Sequence, residues 1–148
     1  MSGALTSGAI YDPESVEAEE HAVIYYGLVR SRKDDVEKIS RRTNIPKSTI
    51  QEVKDYIFMD KHELGGVAKE RFAPDCAMAQ SWQRLVGDMP EPIQPHDILL
   101  LRHEIEEIKF VKDGMSQSEA HGKASEKYNY ARASASYYKN KLDRRKRK

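Results

Sequence analysis

Five side chains in the 148-residue sequence have types and spacing that suit hydrolytic chemistry: His62, His103, Glu104, Glu107 and His121. His103 and Glu107 are four residues apart, so on a helix they share one face, as two ligands of one metal ion must. His121 or His62 can supply a third ligand, with Glu104 as general base of a zinc-dependent, metallopeptidase-like hydrolase. The spacing His-Glu-x-x-Glu departs from the H-E-x-x-H peptidase motif by a carboxylate in place of the second histidine. That departure weakens a peptidase reading but leaves the metal set His103, Glu107 and His121 intact. The favoured chemistry needs no metal. A histidine and a carboxylate whose acidity is tuned by burial can cleave nucleic acid by general acid–base catalysis, with His103, Glu104, His121 and His62 as the catalytic groups. In that scheme Lys123, Lys127, Arg132 or the basic tail hold phosphates and Tyr128 or Tyr130 stacks on a base. The structural alternative is that these groups only satisfy one another across a helix pair.

The element that must position them is a helix over 97–112, followed by another opened by Ser116. At 100° per residue, Arg102, Glu106 and Lys109 form one narrow polar stripe, and apolar residues cover most of the remaining circumference. His103, Glu104 and Glu107 point away from that stripe, among the apolar residues. Buried ionisable groups are costly unless paired or bound, which marks these three as a site. Ser116 and Glu119 form an S-x-x-E capping box for the last helix, which carries His121 and presents Ala120, Ala124 and Ala131 along one side.

Earlier in the chain, Asp12-Pro13-Glu14 reads as a helix start, with Val16, Val23, Tyr26 and Val29 as its inward face. A short helix over 34–43, a break at Asn44-Ile45-Pro46 and a third helix to about residue 60 resemble a helix-turn-helix. In that reading Lys47, Ser48, Thr49 and Gln51 meet a DNA groove, although Glu52 and Asp55 oppose phosphate. Residues 61–74, with Gly65-Gly66, form a loop or a small β-hairpin. Asp75 caps a helix with Met78, Trp82, Leu85 and Val86 inward, and Gly87 stops it. Trp82 is the expected central core aromatic.

Composition bounds the answer. Lys and Arg total 25 against 24 acidic residues, so no global charge bias toward nucleic acid or membrane exists. The bias is local: a basic C-terminus, six of whose last eight residues are Lys or Arg, and an acidic run from Asp12 to Glu20. No apolar run approaches the roughly 20 residues of a membrane span, so no membrane partner is expected. Cys76 is the single cysteine, which excludes an internal disulfide and a cysteine-based zinc finger.

The segments DVEKISRRTNIPKSTIQEVKDYIF, KHEL, RFAPDCAMAQSWQRL, PHDILLLRHEIEE and GMSQSEAHGKASEKYNY together resemble the C-terminal effector domains of bacterial polymorphic toxins and phage minor head proteins. The resemblance implies a toxin module carried by a larger secreted or phage protein, delivered to the cytoplasm of a target bacterium and neutralised by a cognate immunity protein. Many toxins of this wider class are nucleases and a few are peptidases.

The expectation is therefore an all-α single domain of five or six helices, with room for one small β-hairpin near residues 62–73. A flexible lead-in covers 1–11, the helical effector domain 12–140 and a basic tail 141–148. The expected function is an antibacterial nuclease using a His/Glu site. A zinc-dependent hydrolase and a non-enzymatic helix-turn-helix nucleic-acid-binding protein are the alternatives.

Overall fold

Local signals set the helix boundaries in the computed structural model, which describes residues 10–146 as an all-α single domain. Among the described residues there are seven α-helices: α1 (Val16–Ser31), α2 (Asp35–Thr43), α3 (Lys47–Lys54), α4 (Cys76–Val86), α5 (Pro95–Lys112), α6 (Gln117–Lys127) and α7 (Tyr130–Lys146). Ser15 caps α1 through a hydrogen bond from the Ala18 amide, and Asp75 caps α4 through one from Met78. At the start of α5, with Pro95 first, the Gln94 backbone amide donates to Asp97 Oδ2 at 2.8 Å, and a reciprocal capping box of Ser116 with Glu119 opens α6. Asn44, at φ 64°, and Gly87, at φ 92°, end α2 and α4 in the left-handed region.

The core lies among α1 to α5. Trp82 is fully buried at its centre, edge-on to Phe58 with ring centroids 5.1 Å apart, and Ile39, Ile50, Leu85 and Leu101 close around it. The Trp82 indole N–H donates to Asp35 Oδ2 at 3.1 Å, and the Lys54 ammonium donates to Asp35 Oδ1 at 2.9 Å. A second buried network fastens α5 in place. Arg84 of α4 donates to both oxygens of Asp97, at 2.8 and 2.9 Å, and also to the Tyr138 hydroxyl of α7 at 3.2 Å. Arg84 has only donors, so His96 Nε2, 3.0 Å away, accepts, and burial keeps His96 below its ordinary pKa.

Several expectations need correction. α1 starts at Val16 under a Ser15 cap, not at Pro13; Asp12 instead accepts from the Glu14 amide. Its inward face is Ala18, His21, Ala22, Tyr25, Tyr26 and Val29, while Val16 and Val23 are 72% and 56% exposed. The small alanines let α1 approach its neighbours closely, and His21 Nε2 meets Gln83 Oε1 at 2.7 Å, so that face wins over the valine stripe. The expected last helix is two: the chain breaks at Tyr128-Asn129, and Ala131 consequently stands exposed while Ala120 and Ala124 are buried. That break accounts for a seventh helix where five or six were expected. No strand forms among the described residues in place of the optional hairpin; a lone antiparallel bridge joins His62 to Glu70. Residues 1–9 of the expected lead-in lie outside the described residues, but Ile10 is docked, exchanging backbone hydrogen bonds with the Gln80 amide at 2.6 and 2.8 Å. The helix α7 continues through the start of the basic tail to Lys146; residues 147 and 148 lie outside the described residues.

The end of α3 departs from α-helical winding. The Asp60 amide donates to the Asp55 carbonyl at 2.7 Å, five residues back, so Asp55–Met59 is a π-helical turn. Such turns re-aim one side chain relative to an α-helix and are frequent at functional sites. Tyr56, Ile57 and Phe58 are buried in this turn.

Candidate functional site

The short connection from α5 to α6, residues 113–116, folds the two helices back on one another, and this brings His121 over the His103–Glu107 face. His103 Nε2 lies 3.1 Å from Glu107 Oε1, His121 Nδ1 lies 2.9 Å from the same oxygen, and the two ring nitrogens are 3.3 Å apart. His103 and Glu107 are buried, whereas the His121 side chain is 55% exposed and forms the open side of the cluster.

The surrounding groups fix the orientation of each member. His103 Nδ1 is 2.8 Å from the Tyr128 carbonyl oxygen, which only accepts, so Nδ1 carries the proton. In the neutral ring Nε2 is then a lone pair, and it is aimed at a carboxylate oxygen that offers only lone pairs. The convergence therefore calls for a shared hydrogen, from His121 Nδ1 or a doubly protonated His103, or for a cation between the three atoms. Tyr56 donates to Glu107 Oε2 at 2.5 Å and Gln117 Nε2 donates to the same oxygen at 3.4 Å, leaving Oε1 for the histidines.

The acidities follow from this arrangement. Burial alone would raise Glu107, but hydrogen bonds from His103, Tyr56 and His121 outweigh it and hold the carboxylate below its usual range. Burial opposes charging of His103, yet hydrogen bonds to Glu107 and the Tyr128 carbonyl raise it overall. Glu104 moves the other way, pushed well up by burial and then by the Glu107 charge. Glu104 is 6% exposed, makes no hydrogen bond to another described residue and lines a cleft of about 350 Å³ with His103 and His121.

A metal ion fits the three convergent atoms. Ligand distances of about 2.0–2.2 Å around a tetrahedral zinc separate neighbouring ligand atoms by roughly 3.3–3.6 Å, so the observed 2.9–3.3 Å needs only a small outward movement. Among the described residues, His103, Glu107 and His121 form the one His/Cys/Asp/Glu group with this clustering. Two imidazoles and a carboxylate are a donor set zinc accepts, and a carbonyl fixing the far nitrogen of a ligating histidine is its usual support.

The other sequence-derived candidates are placed differently. His62 is not brought to the cluster: its Nε2 is 2.7 Å from the Tyr56 carbonyl and its ring stacks on Phe72 with centroids 4.2 Å apart. Lys123, Lys127 and Arg132 are exposed, and none lines the cleft among the described residues. Tyr128 is half-buried beneath the Lys127 ammonium and serves the site through its carbonyl. On α3, Lys47, Ser48 and Gln51 are exposed beside the acidic Glu52, which pairs with Lys112 of α5, and Thr49 is half-buried. The Cys76 thiol is buried and pushed up to about 12, the opposite of an activated nucleophile.

Sequence reasoning missed Tyr56 and Gln117. Nothing in the residue pattern marks a π-helical turn at 55–59 or pairs Tyr56 with Glu107, 51 residues away. No family model matches the chain, and no curated protein and no solved structure does. No helix among the described residues is long and apolar enough to cross a membrane.

Proposed function

We propose that the chain is a metal-dependent hydrolase, with His103 Nε2, Glu107 Oε1 and His121 Nδ1 as ligands and zinc as the fitting ion. The observation that supports it most is the convergence of two imidazole nitrogens and a carboxylate oxygen within 3.3 Å of one another, with no Lys or Arg hydrogen-bonded to any of them among the described residues. A bound ion of this kind polarises the scissile group and lowers the pKa of water. Glu104, ionised once the positive charge of the ion offsets the burial that raises it, takes the proton of the attacking water and returns it to the leaving group. Its place beside the ligands, its missing hydrogen-bond partner and its opening on the cleft all suit that task. Tyr56 and the Tyr128 carbonyl hold the ligands in orientation.

The sequence resemblance adds the setting: a toxin-type effector, delivered to the cytoplasm of a target bacterium and restrained by an immunity partner. A metal-free acid–base reading draws on the raised His103 pKa, with the same histidine as general acid. The deciding experiment pairs growth with metal analysis. Expression in bacterial cytoplasm should arrest growth, and Glu104→Gln should accumulate to the same level, keep its zinc and let cells grow. Equal toxicity of Glu104→Gln removes Glu104 from the chemistry, and toxicity that survives full zinc removal moves the assignment to acid–base catalysis.

A further inference from the structure

We propose that the cleft beside the cluster takes an apolar stretch of polypeptide, so that the bond hydrolysed is a peptide amide and not a phosphodiester. This deepens the hydrolase reading and rests on it. Ala131, Ala135 and Tyr138 lie on one face of α7 and line the cleft together with Ala77 and Met78 of α4. The charged side chains on its lining, histidines aside, are Asp75 and Glu104. Neither Lys nor Arg is among the described lining residues, and Lys123, Lys127 and Arg132 stand outside it.

A phosphodiester chain carries one negative charge per nucleotide and is held by cations that neutralise it. In this cleft it meets the Asp75 carboxylate and, apart from the bound ion, no cation on the described lining that would neutralise it. A neutral amide meets no such penalty, and the methyl-sized wall of Ala131 and Ala135 leaves room for a main chain with small or aliphatic side chains. The volume, about 350 Å³, is at the small end of ligand-site sizes and suits a few residues of peptide. The step balances without another reactant: water adds to the carbonyl carbon, its proton passes through the Glu104 carboxylate to the amide nitrogen, and the C–N bond breaks to give a carboxylic acid and an amine.

The test uses the zinc-loaded full chain as Glu104→Gln, which holds substrate uncut. Binding of a fluorescent heptapeptide of Ala, Leu, Ser and Gly is measured by anisotropy, beside a ten-nucleotide single strand, with zinc content read on every sample. The peptide should bind. Ala135→Trp, which fills the cleft, should weaken it at least tenfold at unchanged zinc content, and Ala131→Leu should weaken it less. Mass spectrometry of the peptide after incubation with the unsubstituted chain should show cleavage at one or two bonds. A zinc-loaded chain that binds the oligonucleotide in a manner Ala135→Trp abolishes, and ignores the peptide, overturns the substrate class alone. A folded chain without zinc overturns the hydrolase reading and this proposal together.

Discussion

Replacing Tyr56 with Phe removes one hydroxyl and leaves the rest of its environment unchanged. The ring keeps its edge-on contacts with His62 and Phe72, at centroid distances of 4.6 and 5.4 Å. What is lost is the buried 2.5 Å hydrogen bond to Glu107 Oε2, after which that oxygen keeps only the 3.4 Å contact with Gln117. A hydrogen bond to a buried charged group is worth about 1.5–3 kcal/mol. Removing a group that orients a metal ligand typically costs about 10–100-fold in affinity, which is about 1.4–2.8 kcal/mol. The two estimates agree, so Tyr56→Phe is expected to weaken zinc binding by one to two orders of magnitude, and Gln117→Ala by less. Competition against a fluorescent chelator measures both. A Tyr56→Phe protein with unaltered zinc affinity would refute the claim that Tyr56 orients Glu107.

Three further outcomes follow from the same geometry. In chelator, Glu104 holds a proton in the folded but not the unfolded chain between its ordinary 4.5 and about 8, so stability falls as pH rises through that window. His103, raised above 6.5, adds the same sign, because its contribution is present below 6.5 and lost as pH rises through the folded pKa. Denaturation midpoints at pH 5 and pH 8 should show the loss, and Glu104→Gln should flatten it; a midpoint that rises with pH contradicts the assignment. Lys54→Met strands Asp35, which is fully buried, and should cost about 3–5 kcal/mol in urea unfolding, whereas Arg102→Gln on the exposed side of α5 should change stability by under about 0.5 kcal/mol. Native Cys76 should react with iodoacetamide far more slowly than a free thiol at pH 8, since burial holds it protonated; rapid labelling of folded protein would show that helix α4 opens at its start.

How much of this was legible in the sequence depends on the kind of signal. The His103–Glu107 pair needs only the helical period, and their inward direction follows from the polar stripe of Arg102 and Lys109, both exposed as expected. His121 joins them because the Ser116–Glu119 box starts α6 within one short turn of α5, a signal also present in the residues. The inward face of α1 was misread because hydrophobicity favours Val16 and Val23, whereas the packing that forms uses Ala18, Ala22 and the His21–Gln83 contact, which need knowledge of the partner helix. Likewise the turn at Tyr128-Asn129 has no proline or glycine to announce it, although it supplies the carbonyl that sets the His103 tautomer. Tyr56 was invisible for a third reason: three residues on from the inward Val53 it reads as one more core aromatic, and its partner Glu107 lies 51 residues away.

The central claim is the metal, and zinc-edge X-ray absorption of the reconstituted protein tests it most directly. About one zinc per chain is expected, with two imidazole nitrogens and one carboxylate oxygen at about 2.0–2.2 Å, and loss of that signal in His103→Ala and His121→Ala proteins that keep their helical circular dichroism. A folded chain that takes up no zinc, or zinc whose surroundings contain no imidazole, would contradict it.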